Sequence, residues 1–310
     1  MSEPSDTEDD IPFNRDFALK PGIAEEVVPD VRRVLCDNPS PFTFTGTVSY
    51  IVGRGKVAII DPGPDSEAHA KALLDAVRGE TVTHIFVTHT HRDHSPNAAR
   101  IKAATRAPVY AEGPHRASRP RFESEKHDPE SGADRDFHPD VRLRDGEVVA
   151  GDGWALEAVT TPGHTANHMA FAWKQRSLLF VGDHVMGWST SIVAPPDGSM
   201  VDYVASLEKL SRRDEQLYLS GHGPEIPDGP RFARHLVRHR RAREASILHR
   251  LAKSEADIPT LVRAIYIGLD PRLSGAAGYS VLAHLEDLVA RGVVLTDGDP
   301  VIGGRYRLAS

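Results

Sequence analysis

Two short runs, Thr47 to Gly53 and Lys56 to Asp61, alternate β-branched or apolar residues with others around a Gly-containing turn, which predicts a β-hairpin. Ser66 to Arg78 then changes to a helical period, with Ser66 placed as its N-cap. His84 to Thr88 is a short apolar strand, and directly beyond it Ser95 and Pro96 stand as N-cap and first helical residue of another helix. Three later apolar runs, Trp154 to Thr161, Ser177 to Gly182 and Gln216 to Ser220, each deliver polar residues at their C-terminal ends. Strands interleaved with helices predict an α/β or α+β fold, and loops after strand C-termini are where such folds carry function.

Residues Gly113 to Asp140 have no clear period and read as an irregular insertion. A partial apolar stripe over Gly229 to Lys253, formed by Phe232, Leu236, Val237, Ile247, Leu248 and Leu251, predicts a long connector helix. Two further helices and a β-hairpin with a "DGDP" turn then suggest a small winged-helix domain. The expected organisation is an acidic disordered tail over 1–30, a catalytic domain over 31–228, a connector helix over 229–255 and a winged-helix-like domain over 256–310.

Charge sharpens the ends of this division. The net charge is -7, and Glu3, Asp6, Glu8, Asp9, Asp10 and Asp16 against Arg15 leave the body of the chain near neutral. The start has neither a basic segment nor an apolar one, so no signal peptide or membrane span is expected and the protein is placed in the cytoplasm. Cys36 is the single cysteine, which excludes an intramolecular disulfide and a Cys-rich metal site. Any metal chemistry must use oxygen and nitrogen ligands.

Those ligands are concentrated in "THTHRDH", Thr88 to His94, between a strand and a helix. Divalent zinc accepts imidazole nitrogen and carboxylate oxygen, and a catalytic site keeps one position for water. His89 and His91 can face one ion while Asp93 and His94 turn toward a second. The later strand ends offer His164, Asp183 and His222, which closes the count: His89, His91 and His164 for one ion, Asp93, His94 and His222 for the other, and Asp183 bridging.

The order H-x-H-x-D-H, then His, Asp and His resembles the metallo-β-lactamase superfamily, and the assignments above follow its order. The resemblance implies a four-layer αββα sandwich with two zinc ions at one edge, iron or manganese also suiting the ligands. It implies hydrolysis by a metal-bridging hydroxide oriented by Asp93. It extends to "DPG" at Asp61 to Gly63, where family members place a buried carboxylate behind the metal loop; a turn-forming role for Asp61 stays open beside it. His168, Trp188 and Tyr203 are candidate substrate contacts, with packing roles as the alternative.

"TPGHTANHM", "GDHVMGWST", "MVDYVASLEKL" and "HRRARE", together with the winged-helix-like tail, resemble the endoribonuclease-like subgroup typified by β-lactamase-like protein 2. Asp183 and the absence of a signal peptide argue against an antibiotic-degrading enzyme. The leading expectation is a dinuclear zinc hydrolase of the glyoxalase-like branch acting on a small ester, thioester or lactone. The alternatives are an endoribonuclease cutting single-stranded RNA and a regulatory nucleic-acid-binding module.

Charge weighs against the last. Residues 256–310 hold five Arg against six Asp or Glu, and Tyr279 to Arg291, the would-be recognition helix, presents His284, Glu286 and Asp287 beside Arg291. The winged helix is therefore expected to pack on the catalytic domain, shape the substrate cleft or form an oligomer contact such as a homodimer. Arg231, Arg234, Arg238, Arg240, Arg241 and Arg243 form the main basic feature, read as a solvated helix face or the entrance for an anionic substrate.

Overall fold

The computed structural model describes residues 11–125 and 132–309. Its first sheet runs in chain order: β1 (Ala24–Val28), β2 (Val31–Leu35), β3 (Val48–Val52), β4 (Lys56–Ile60), β5 (Thr81–Phe86), β6 (Val109–Ala111) and β7 (Val141–Arg142). β1 to β4 are antiparallel neighbours, and the β3/β4 pair is the hairpin that the pattern predicts. β4 to β7 are parallel, with α1 (Glu67–Ala76) and α2 (Asn97–Thr105) as crossovers. The second sheet contains β8 (Val148–Ala150), β9 (Ala155–Thr160), β10 (Met169–Trp173), β11 (Leu178–Gly182) and β12 (Leu217–Ser220), ordered β12-β11-β10-β9-β8. Its one parallel pair, β11 with β12, is joined through α3 (Met200–Leu210).

The side-chain pattern explains the layering. β4 reads KVAII because both its faces are buried. Val57 and Ile59 pack under Leu73 of α1 and Ile101 of α2. Ala58 and Ile60 face the second sheet, where Phe86, Phe171 and Phe180 fill the gap. Burial of each phenylalanine ring contributes about 2–3 kcal/mol. On the far side, Val159, Ala170 and Leu179 pack against Tyr203 and Leu207 of α3 and against Phe232 and Leu236 of α4 (Gly229–Leu251). The result is the four-layer αββα sandwich.

Helix α4 is more than a connector. Its first half closes the fourth layer, and its second half carries Ile247 and Leu251 into a separate core with Leu261, Val281, Leu285, Val294 and Tyr306. That core belongs to the C-terminal winged helix: β13 (Ala256–Asp257), α5 (Ile258–Ile265), α6 (Ser274–Ala290), β14 (Val294–Thr296) and β15 (Arg305–Leu308). The acidic and histidine residues of α6 are buried or paired within the chain. His284 is buried, Glu286 pairs with Arg119 of the insertion at 2.5 Å, and Asp287 pairs with Arg291 at 2.8 Å. The helix that would enter a DNA groove is packed on the catalytic domain instead.

Two expectations need correction. Residues 1–10 of the acidic tail lie outside the described residues, but 11–30 are folded: Ile11 and Leu19 are buried and β1 pairs with β2. Ile11 and Phe13 join the α3/α4 core and Phe17 and Leu19 the inter-sheet core, apolar positions that the acidic composition obscured. Nor does Ser95 cap α2, which starts without a side-chain cap; its hydroxyl donates to Asp134 Oδ2 at 2.6 Å, tying the insertion to the histidine loop.

Candidate metal centre

The site lies where the two sheets are stitched at one edge. The Val48 N–H donates to the Gly221 carbonyl at 2.8 Å, and Thr47 bridges His222. From the first sheet comes the loop after β5 with His89, His91, Asp93 and His94; from the second come His164, Asp183 and His222 beyond β9, β11 and β12. These residues lie in two groups, His89–His91–His164 and Asp93–His94–Asp183–His222, with the ligand-type atoms of each within 4.8 Å of one another. Small residues permit the approach: a Cβ on Gly221 would sit 2.5 Å from both Asp183 Oδ1 and His94 Cε1.

Asp61 organises the loop from behind. It follows β4 directly, in the left-handed region with φ of 49°. Its Oδ1 accepts the Thr88 N–H at 2.7 Å, and its Oδ2 accepts the Thr88 hydroxyl at 2.7 Å and His94 Nδ1–H at 3.0 Å. The single buried carboxylate thus sets both the loop backbone and one imidazole.

Proton positions follow from such partners. Thr88 spends its hydrogen on Asp61, so its oxygen accepts His89 Nδ1–H at 3.0 Å, leaving a lone pair on His89 Nε2. His164 Nδ1–H donates to the Ile192 carbonyl at 2.7 Å, leaving its Nε2 bare. Asp197, 3.4 Å from His91 Nε2, holds the proton there and frees His91 Nδ1. The three bare nitrogens converge, with His91 Nδ1 3.1 Å from His89 Nε2 and 3.0 Å from His164 Nε2. Facing lone pairs at these distances repel unless a cation lies among them.

The second group repeats the logic with carboxylates added. His222 Nδ1–H donates to the Gly46 carbonyl at 3.1 Å, and His94 Nδ1–H to Asp61, so their Nε2 atoms face each other at 3.3 Å. Asp93 Oδ2 lies 3.2 Å from His222 Nε2 and 3.4 Å from His94 Nε2, while Asp183 lies 3.2 and 3.4 Å from the same atoms. The donor set fits a divalent metal ion in each group.

Electrostatics report the same demand for positive charge. Burial pushes His89 well below the usual imidazole range and His164 down to about 4, keeping both neutral. Burial also works to lower His94 and His222, but Asp93 and Asp183 outweigh it, holding His94 well above its ordinary value and His222 up at about 9. For Asp93 and Asp183 burial acts upward and the two histidines overcome it, holding both carboxylates well below their usual range.

The centre opens on one side, where the His91 and Asp93 side chains are 24% and 25% exposed. Trp188, stacked on Phe44 at 4.8 Å, is partly exposed. Tyr203 and His168, named with it from the sequence, are not placed to meet substrate. Tyr203 is fully buried and its hydroxyl donates to the His184 carbonyl at 3.0 Å. His168 is buried with Nδ1 on the Thr161 hydroxyl at 2.8 Å and its ring 5.1 Å from that of His89.

Asp197 and the Ile192 carbonyl were not legible in the sequence, since Asp197 sits in "PPDG", a turn-like stretch without ligand spacing. Their segment is held from α4. Buried Arg240 donates to the Ser191 carbonyl, and the Ser191 hydroxyl donates to the Asp183 carbonyl at 2.5 Å.

Comparison with known proteins matches two family descriptions: Metallo-beta-lactamase superfamily over residues 42–222 and Beta-lactamase associated winged helix domain over residues 258–305. A Beta-lactamase-like protein 2 homolog of Caenorhabditis elegans is 30% identical over 239 residues, 74% of this chain and 74% of its own. An Atrochrysone carboxyl ACP thioesterase of Claviceps purpurea is 29% identical over 235 residues, 74% of this chain and 67% of its own. Among solved structures, a Beta-lactamase domain protein from Burkholderia ambifaria superposes with a TM-score of 0.79 at 22% identity, covering 97% of this chain and 98% of its own, a likeness of fold.

Proposed function

Because the chain belongs to the metallo-β-lactamase superfamily and is a hydrolase of that family, we propose that it is a dinuclear zinc thioesterase. His89, His91 and His164 would hold one ion and Asp93, His94 and His222 the other, with Asp183 available to either. Iron or manganese would suit the same donors. The observation that carries the reading is the convergence of bare imidazole nitrogens and carboxylates in two adjoining groups at the open edge of the sandwich. Among ester, thioester and lactone, the thioesterase names of several relatives favour the thioester.

When bound, the ions supply Lewis acidity toward the substrate carbonyl and a water acidified toward neutral pH. The protein supplies orientation. Asp93, at the open side, accepts a hydrogen bond from the attacking water and directs its lone pair to the carbonyl carbon. Asp61, Asp197 and the carbonyls of Ile192 and Gly46 fix the ring and tautomer of His94, His91, His164 and His222 in turn. Trp188 offers an aromatic wall beside Gly223.

Single-stranded RNA draws less support. Arg240 and Arg243 are buried structural residues, and Arg119 is engaged by Glu125 and Glu286. Beside the open side of the centre, the aromatic pair Trp188 and Phe44 offers stacking but no cation of its own for a phosphate backbone. The deciding test is turnover by metal-quantified enzyme of small acyl thioesters, p-nitrophenyl esters, lactones and a single-stranded RNA. Thioester turnover reduced about 10²–10⁴-fold by Asp93→Ala is expected; RNA cleavage without thioester turnover overturns the reading.

A further inference from the structure

Away from the metal centre, the outer face of α3 and α4 carries a cluster of exposed arginines. Arg212, Arg231, Arg234, Arg238 and Arg241 are all exposed around a groove of about 520 Å³. One carboxylate answers them there: Glu208, 2.6 Å from Arg241 and 3.7 Å from Arg212. Arg234 donates to the Ser211 carbonyl and Arg238 to the His235 ring, neither of them an anion. Five like charges around one groove repel one another and attract an anionic strand.

The chain enters beside this groove. Ile11 is buried in the α3/α4 core, Phe13 meets Phe232 edge-on at 6.1 Å, and the Asn14 N–H donates to the Gly187 carbonyl at 2.8 Å. A second groove, of about 440 Å³, is lined by Pro12 and Asn14 on one side and Arg231 on the other, and it adjoins the first through Arg231. Its acidic residues are otherwise occupied: Glu225 pairs with Arg33 at 2.6 Å, and Asp228 caps α4. Residues 1–10, which precede this point, contain Glu3, Asp6, Glu8, Asp9 and Asp10 and no Lys or Arg.

We propose that the arginine groove on α3 and α4 is a docking site for an acidic peptide and that residues 1–10 of the same chain occupy it. Length permits this, since ten residues reach up to about 33–36 Å, whereas Arg231 to Arg241 spans about 15 Å of helix. Attachment at Ile11 keeps the acidic stretch at an effective concentration on the order of millimolar, so pairing in cis with an intrinsic Kd of about 0.1 mM weakens binding of a free competitor about tenfold. A free acidic segment therefore competes with residues 1–10 for the groove.

The test compares the native chain with one carrying Glu3→Gln, Asp6→Asn, Glu8→Gln, Asp9→Asn and Asp10→Asn, using a labelled peptide of residues 1–10 and fluorescence anisotropy. The neutralised chain should bind the peptide at least about tenfold more tightly than the native chain. That binding should vanish in Arg234→Glu/Arg238→Glu and weaken strongly at about 0.5 M salt, where the Debye length is a few ångströms. Equal binding by the two chains, binding by neither, or binding only of a single-stranded RNA oligonucleotide overturns the proposal. Circular dichroism of each variant separates a lost groove from a lost fold.

Discussion

Replacing Asp61 with asparagine changes one oxygen of a buried residue into an NH₂ group and tests how the metal centre is oriented. Oδ1 serves the Thr88 N–H, so the amide oxygen remains there and the NH₂ takes the place of Oδ2, facing the Thr88 hydroxyl and His94 Nδ1. The hydroxyl can rotate. His94 cannot donate to a donor, so its proton moves to Nε2, the atom that faces His222, Asp93 and Asp183. A ligand nitrogen is thereby blocked, while the side-chain volume is nearly unchanged. Loss of such an orienting partner lowers metal affinity about 10–100-fold, equivalent to about 1.4–2.7 kcal/mol. Competition against a chromophoric chelator measures the affinity, and long-range ¹H–¹⁵N correlation of the imidazoles reads the tautomer. Asp61→Ala should add a loss of folding stability of about 1–3 kcal/mol for each buried donor left unpartnered. Wild-type metal affinity in Asp61→Asn, with His94 still protonated on Nδ1, would refute the account of proton positions.

Gly221→Ala should weaken metal binding at least about tenfold, because the new Cβ would displace Asp183 or His94 from 2.5 Å; folding stability should fall by about 1–3 kcal/mol, measured by urea unfolding. His69 is buried and held down at about 4, so the unfolded chain binds the extra proton between about pH 6.5 and 4. Its contribution is fully present above that window and is lost as pH falls through it, by about 3 kcal/mol. His69→Gln, which keeps a hydrogen bond to Ser49 available, should flatten that part of the stability–pH curve; an unchanged slope would contradict it. Cys36 is buried and its thiol is pushed up to about 12, first by burial and then by Asp37 and Asp93. Ellman's reagent at pH 8 should therefore react with it only after denaturation, and rapid labelling of the native protein would count against that burial.

Much was legible along the chain because it depends on local spacing. The hairpin of β3 and β4, the Ser66 cap of α1 and the strand ends before the histidine loop, His164, Asp183 and His222 follow from period, punctuation and ligand type. What composition hid was the folded stretch from Ile11 onward, where scattered apolar residues outweigh an acidic average once two different cores receive them. The winged helix could be named from its element order, but not the face it buries: that depended on Arg119, from an insertion without period, meeting Glu286. The same distinction applies at the metal centre. Residue types and order are one-dimensional properties, so the candidate donors could be named from the sequence. Which imidazole nitrogen carries the proton is decided by partners as distant as Asp61, Gly46, Ile192 and Asp197, and only packing the two sheets edge to edge brings those oxygens within hydrogen-bonding reach.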